Sequence, residues 1–176
     1  MIGDRDRQEF EAFVAASSDR LLRIAYLLTG DAGHAEDVVQ SALLRSARRW
    51  RSARRSPEAY ARTTVVNLVK DRWRSLGRRP IEAPLDHDTV ATRDADSFDS
   101  RLDRDLLMRA ARALPLSQRA VLVLRYFDDL SVEETARTLG VTTGTVKSQT
   151  SRALTSLRAA LTTENSDEEN VDAHRR

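Results

Sequence analysis

Apolar residues recur every three or four positions along most of this chain, and strict alternation is nowhere sustained. That period belongs to helices packed on one face. Phe10, Phe13, Leu21, Ile24, Ala25 and Leu28 predict a helix from about Gln8 to Thr29. Ser17-Ser18-Asp19 is the place where it would bend or break, and Gly30-Asp31 ends it. Ala35, Val38, Val39, Ala42, Leu43, Ser46 and Trp50 trace one face of a second helix, from about Ala32 to Trp50. An arginine-rich loop, Arg51 to Arg55, follows. Ser56-Pro57-Glu58 then opens a third helix with a cap, a proline at the first position and an acid in the first turn. It runs to about Leu76, where Gly77 stops it.

From Arg79 to about Ser100 the periodicity is lost. Pro80, Pro84 and scattered acids predict a flexible acidic linker. Leu102, Leu106, Ala110 and Ala113 restore a helix up to Leu114, and Pro115 breaks it. Ser117 is the expected cap of a further helix carrying Ala120, Val121, Leu124 and Phe127. The expected architecture is all-α: a helical domain over residues 1–79, the linker over 80–100, a second helical domain over 101–161 and a polar, disordered tail over 162–176. The two domains would hang on a tether.

The stretch from Leu130 to Lys147 carries the sharpest local signal. Ser131 and Glu134 form a capping-box pattern. Ala136 is small enough for a second helix to cross closely, Gly140 suits a left-handed helix end, and Thr142 can cap the next helix, whose Val146 would face Ala136. This is a helix-turn-helix, whose second helix lies in the DNA major groove. An ordinary αα-corner in a core would not need the polar face that follows: Thr143, Thr145, Lys147, Ser148, Gln149, Ser151 and Arg152 can donate to phosphates and base edges.

Charge sharpens the picture. The net charge is only +2, yet residues 41–79 hold 12 Lys/Arg against Glu58 and Asp71. Residues 82–105 hold eight acids against three arginines. Such segregation marks an electrostatic footprint for nucleic acid. With no cysteine there is no disulfide or thiolate metal site, and the three histidines are scattered. No metal or cofactor is expected. The amino-terminal segment lacks a signal peptide's apolar run, and no stretch is long enough to span a membrane, so a soluble cytoplasmic protein is expected. No phosphate-binding glycine loop and no nucleophile–base arrangement is visible, which points away from an enzyme. The pairs Asp128-Asp129 and Glu133-Glu134 read as carboxylates complementing helix ends.

Two further sets are candidate contacts. Asp37 and Gln40 lie three apart on the polar side of the second helix. On the third, Tyr60, Thr63, Thr64, Asn67, Lys70, Asp71, Arg72, Trp73 and Arg74 mix aromatics, amides and cations, the chemistry that a single strand's bases and phosphates require. Tyr60 and Trp73 can equally fill the core. Asn67 disfavours a helix interior and so asks for a partner or a wet surface.

In this order the residues match a known family. Leu28-Thr29-Gly30-Asp31 and Ala35-Glu36-Asp37-Val38-Val39-Gln40 resemble the second-region signature of the extracytoplasmic-function (group 4) sigma factors of bacterial RNA polymerase, in particular a SigE-like subgroup common in actinobacteria. Asn67, Asp71 and Arg74 are similar to that family's −10-reading helix. Ala113-Leu114-Pro115, Gln118-Arg119, Leu124-Arg125-Tyr126-Phe127, Gly144-Thr145-Val146-Lys147-Ser148, Ser151-Arg152-Ala153-Leu154 and Leu157-Arg158 resemble its fourth region.

The resemblance implies core RNA polymerase and promoter DNA as partners, an anti-sigma factor as a further one, and a non-catalytic role in the cytoplasm, on the nucleoid when in holoenzyme. Asp37 and Gln40 would meet the polymerase. The loop from Arg51 to Ser56, with Asn67 beneath it, would hold a flipped −10 base. Arg54, Arg55, Asn67, Lys70, Arg72 and Arg74 would serve the melted −10 element. Thr143, Thr145, Lys147, Ser148, Ser151 and Arg152 would serve the duplex −35 element. The linker acids would thread toward the RNA exit path. Tyr60 stands where the family often has tryptophan, and Gln149 and Thr150 replace a more usual Arg and apolar residue. The alternative is a stand-alone helix-turn-helix regulator, with the first domain as sensor or dimerisation unit.

Overall fold

A computed structural model describes residues 4–76 and 109–173, the stretch 161–173 as helical backbone alone. The linker acids therefore lie outside the described residues. Helix α1 (Asp4–Thr29) runs unbroken through its serines. The Ser18 hydroxyl donates to the Val14 carbonyl (2.6 Å), and Ser17 is buried, so neither pulls the backbone out of the helix. Gly30 turns the chain at φ +73°, and Asp31 accepts from the His34 amide (2.7 Å) to cap α2 (Ala32–Arg48).

The arginine-rich loop begins as a helical turn, α3 (Trp50–Ala53). Its anchor is Trp50, buried against Phe10 and Phe13 at ring centroid distances of 5.1 and 5.6 Å. Burying such rings contributes about 1.5–3 kcal/mol each, enough to fold four residues onto α1. Helix α4 (Pro57–Leu76) follows. The Ser56 hydroxyl donates to the Arg55 carbonyl (2.8 Å) rather than capping α4; the Ser56 carbonyl accepts from Tyr60 instead (3.0 Å).

In the second half, α5 (residues 109–113) leads through Pro115 into α6 (Leu116–Leu122). Pro115 occupies the cap position, so Ser117 lies inside the first turn and does not cap it. A π-helical turn, Val123–Phe127, extends α6 and lets the Asp128 amide reach the Val123 carbonyl (3.0 Å). Asp129 then reverses the chain at φ +53°, a left-handed conformation that aspartate tolerates better than most residues. The helix-turn-helix, α7 (Val132–Leu139) and α8 (Thr143–Ala173), has its expected caps. Ser131 and Glu134 close a reciprocal capping box, Gly140 sits at φ +67°, and Thr142 accepts from the Thr145 amide (3.1 Å). Helix α8 continues well past the expected end near Leu161, so 162–173 is helical backbone rather than a disordered tail.

The halves do not hang apart. One apolar cluster runs from Phe13, Leu21, Ile24, Val65 and Val69 into Val121, Leu124, Leu139 and Val146. Leu114, Leu122 and Ala153 form a smaller one where α6 meets α8.

A Cβ added at Gly140 would meet nothing within 4 Å, so Gly140→Ala isolates the backbone cost. Chemical denaturation should show a loss of about 1–2 kcal/mol. Glu134 has its pKa lowered chiefly by the hydrogen bond from the Ser131 amide, then by the Ser131 hydroxyl. A carboxylate depressed in the folded state stabilises above its unfolded pKa, and the benefit fades as pH falls through the folded value. The gap in thermal midpoint between wild type and Glu134→Gln should therefore be full at neutral pH and shrink below the ordinary carboxylate range.

Candidate nucleic-acid interface

Helix α2 buries Ala35, Val38, Val39, Ala42 and Ser46, which turns Asp37 and Gln40 outward, both exposed. Leu44 continues their row one turn on and is 60 % exposed. Sequence reading passed over it because it falls outside the buried stripe, and no partner signal marks a lone leucine.

Helix α4 buries Ala61, Val65, Val66 and Val69. Asn67, Arg72 and Arg74 are exposed beside that face, with Arg74 3.6 Å from Asp71. Tyr60 packs against the core, while Trp73 stays 42 % exposed. Arg54 and Arg55 sit exposed in the turn before α4. Arg54 is engaged: its guanidinium reaches Asp6 (3.1 Å) and Glu9 (3.5 Å) of α1. Lys70 is engaged too, donating to the Leu139 carbonyl at the end of α7 (3.0 Å). These two candidate cations thus hold intramolecular partners.

On α8, Val146 and Ala153 are buried. Thr143, Thr145, Lys147, Ser148, Ser151 and Arg152 are all exposed. The Ser148 hydroxyl donates to the Thr145 carbonyl (3.0 Å), which leaves its oxygen free to accept. Gln149 and Thr150 are half-buried, and the Thr150 hydroxyl donates back to Val146 (2.7 Å). The two residues that depart from the family pattern therefore stand off the most exposed face of the helix.

The chain matches family models for sigma-70 region 2 over residues 13–79 and sigma-70 region 4 over residues 104–157. It is 41 % identical to the RNA polymerase sigma-E factor of Streptomyces avermitilis, over 87 % of this chain and 85 % of that protein. It belongs to the extracytoplasmic-function RNA polymerase sigma factors. It is also 35 % identical to the ECF RNA polymerase sigma factor SigE of Mycolicibacterium smegmatis, over 90 % of this chain and 63 % of the relative. Among solved structures it shares its fold with the sigma factor RpoE from Bartonella quintana, crystallised with the anti-sigma factor NepR. That match has a TM-score of 0.69 and 24 % identity, over 88 % of this chain and 98 % of the other. A region 2 model spanning the first half removes the sensor domain that a stand-alone regulator would need there.

The residues that sequence reading missed join the two regions of this sigma factor. Asp128, 1 % exposed, does not complement a helix dipole. Its Oδ1 accepts from Arg20 Nε of α1 (2.5 Å), its carbonyl accepts from Arg20 Nη2 (2.9 Å), and Oδ2 forms an ion pair with Arg62 of α4. Arg119, 3 % exposed, donates to the Leu28 carbonyl of α1 (2.9 Å) and to Leu114 of its own half (3.1 Å), with its guanidinium 5.7 Å from the Trp73 ring centre. Burial, and next the neighbouring Arg112, lower the Arg119 pKa, yet a guanidinium stays charged at neutral pH. Arg112 itself donates to the Tyr26 hydroxyl (2.8 Å). The available signal was charge inside an apolar context, in Arg119-Ala120-Val121 and Tyr126-Phe127-Asp128.

Arg54 supplies a direct check on this electrostatic layout. Asp6→Asn with Glu9→Gln should free it for phosphate. DNA binding should tighten and the slope of log K against log salt should steepen by up to about 0.7–0.9, the increment of one phosphate contact. Fluorescence anisotropy titrations at several salt concentrations measure both.

Proposed function

We propose that this sigma factor reads two promoter elements by two chemistries, one on each region. Helix α8 reads the duplex −35 element through Thr143, Thr145, Lys147, Ser148, Ser151 and Arg152. Helix α4 and the turn before it take the melted −10 strand, with Asn67 receiving an unstacked base and Arg54, Arg55, Lys70, Arg72 and Arg74 following the phosphates. Asp37 and Gln40 meet core polymerase, with Leu44 as the apolar contact in their row. The protein acts in the cytoplasm and carries no catalysis of its own. A partner of the anti-sigma class, as in the solved relative's complex, is the proposed antagonist.

The observation that carries the reading is the segregation of donors. Six hydroxyl, ammonium and guanidinium residues are exposed on α8 over a buried Val146 and Ala153, while the exposed amide of Asn67 stands among cations on the other half. Base edges in a duplex groove need donors projecting from a helix. A base that has left the stack can be met by an amide and an aromatic face.

Reconstitution with core polymerase and run-off transcription from genomic fragments identifies a promoter; two substitutions then separate the sites. Arg152→Ala should cost roughly 1–3 kcal/mol of duplex affinity if the contact is bidentate, and relax preference at one position. Asn67→Ala should spare closed-complex binding and reduce permanganate-reactive open complex, with partial rescue on a pre-melted bubble. Loss of duplex binding by Asn67→Ala, or bubble rescue of Arg152→Ala, contradicts the assignment.

A further inference from the structure

We propose that a cleft between the start of α1 and the junction of α2 with α3 binds the phosphates of a free di- or triphosphate. The cleft holds about 360 Å³, within the range of small-molecule sites, and its lining includes Asp6 of α1 and Arg48, Arg49, Trp50, Arg51 and Ser52. Arg48, Arg49 and Arg51 are exposed, and none of them pairs with an acid among the described residues. The α2 dipole accounts for Arg48, in the last turn of that helix, but Arg49 and Arg51 lie beyond it. Asp6, the acid in the lining, is held by Arg54 (3.1 Å) and leaves these three charges unanswered. Trp50 adds a donor: it is 4 % exposed, and its indole nitrogen is buried without a hydrogen-bond partner. Such a donor has given up water for nothing, and an anion's oxygen in the cleft would answer it.

Three guanidiniums around one short turn suit a compact anion. The Ser52 hydroxyl donates to the Arg49 carbonyl (3.0 Å) and ties that turn together. Guanidinium forks pair with phosphate oxygens in bidentate fashion. A terminal diphosphate concentrates several charges on adjacent groups, whereas a nucleic-acid strand spreads one charge over each unit. The strand candidates on α4, Asn67, Arg72 and Arg74, do not line the cleft, so it stands beside the proposed strand path. Arg51 and Ser52 open the loop assigned to the −10 base. An occupied cleft engages Arg51 and sets negative charge beside that loop, so the ligand should oppose strand binding. That consequence rests on the −10 reading; the anion site itself does not.

The chain has two tryptophans, so Trp73→Phe leaves Trp50 as the sole indole reporter. The probe is inorganic pyrophosphate, titrated at constant ionic strength with sodium chloride as the compensating salt. Trp50 emission should change and saturate, with half-saturation at about 1 mM or below, and calorimetric titration of the wild-type chain should give the same constant. Arg48→Gln combined with Arg49→Gln and Arg51→Gln should weaken binding about tenfold or more, through lost charge-assisted bonds. Arg109→Gln combined with Arg137→Gln and Arg158→Gln removes the same charge from exposed positions of the second half. That control should weaken binding less than about twofold, because screening separates it from the cleft. Circular dichroism reports helical content, and if the first triple variant loses it, Arg51→Gln alone decides. No saturation in either titration, or equal weakening in the two triple variants, overturns the site. A fluorescein-labelled random single strand of about 16 nucleotides then separates the two sources of phosphate. Saturating pyrophosphate should lower strand affinity about threefold or more relative to chloride of equal ionic strength. Unchanged strand affinity beside saturable pyrophosphate binding supports the site and overturns its opposition to the −10 strand. A strand that reproduces the Trp50 change of pyrophosphate overturns the reading of the cleft as a site for a free anion.

Discussion

A carboxylate shut away from water must be answered by cations, and in this protein Asp128 is answered from two helices of the other half at once. The π-helical turn makes that possible. By widening α6 before its end, it carries Asp128 into the interior while leaving Tyr126 and Phe127 at the surface. Arg20 then closes on both the side chain and the carbonyl of Asp128, and Arg62 on its second oxygen. A buried pair of this kind gives specificity more than net stability, because each ion has lost its hydration. Its neighbour Arg119 follows the same logic, satisfied mainly by backbone carbonyls drawn from both halves.

From this constraint follows the distribution of accessible chemistry. Lys70 is spent on a carbonyl of α7 and Arg54 on the acids of α1, so part of the positive face is neutralised by the protein itself. The α8 donors and the outer row of α2 are not covered. Under the proposed assignment of faces, the exposed α8 donors and α2 row are the polymerase and duplex faces, and the partly engaged α4 row is the single-strand face.

The long helices, the turns at Gly30 and Pro115 and the helix-turn-helix were legible in sequence, because they depend on local rules: an apolar period of 3.6, a capping box at Ser131, a left-handed glycine at Gly140. The exposure of the candidate residues on α2 and α8 was legible, since a helical face is fixed once its apolar stripe is known. What failed was local chemistry overridden by packing. Ser56 and Ser117 had the right residue type for caps, but the Ser56 hydroxyl turns to the Arg55 carbonyl and Pro115 takes the cap position ahead of Ser117. The arginine-rich stretch after α2 looked like loop, yet burial of Trp50 draws it into a turn of helix. Docking of the halves was invisible because its determinants lie far apart in sequence: Asp128 stands 108 residues from Arg20, and Lys70 stands 69 from Leu139. Periodicity carries no information at that range.

The central claim is that Asp128 and Arg62 act as one unit across the two regions, and a double-mutant cycle measures that most directly. Asp128→Ala, Arg62→Ala and the double variant are unfolded in urea beside the wild type. Asp128→Ala leaves the buried Arg62 unanswered and should lose about 3–5 kcal/mol, while Arg62→Ala leaves Asp128 with Arg20 alone and should lose less. The double variant strands neither charge at this pair, so its loss should fall short of the sum by at least about 1 kcal/mol. Additive losses, with no coupling between the two positions, would contradict the account.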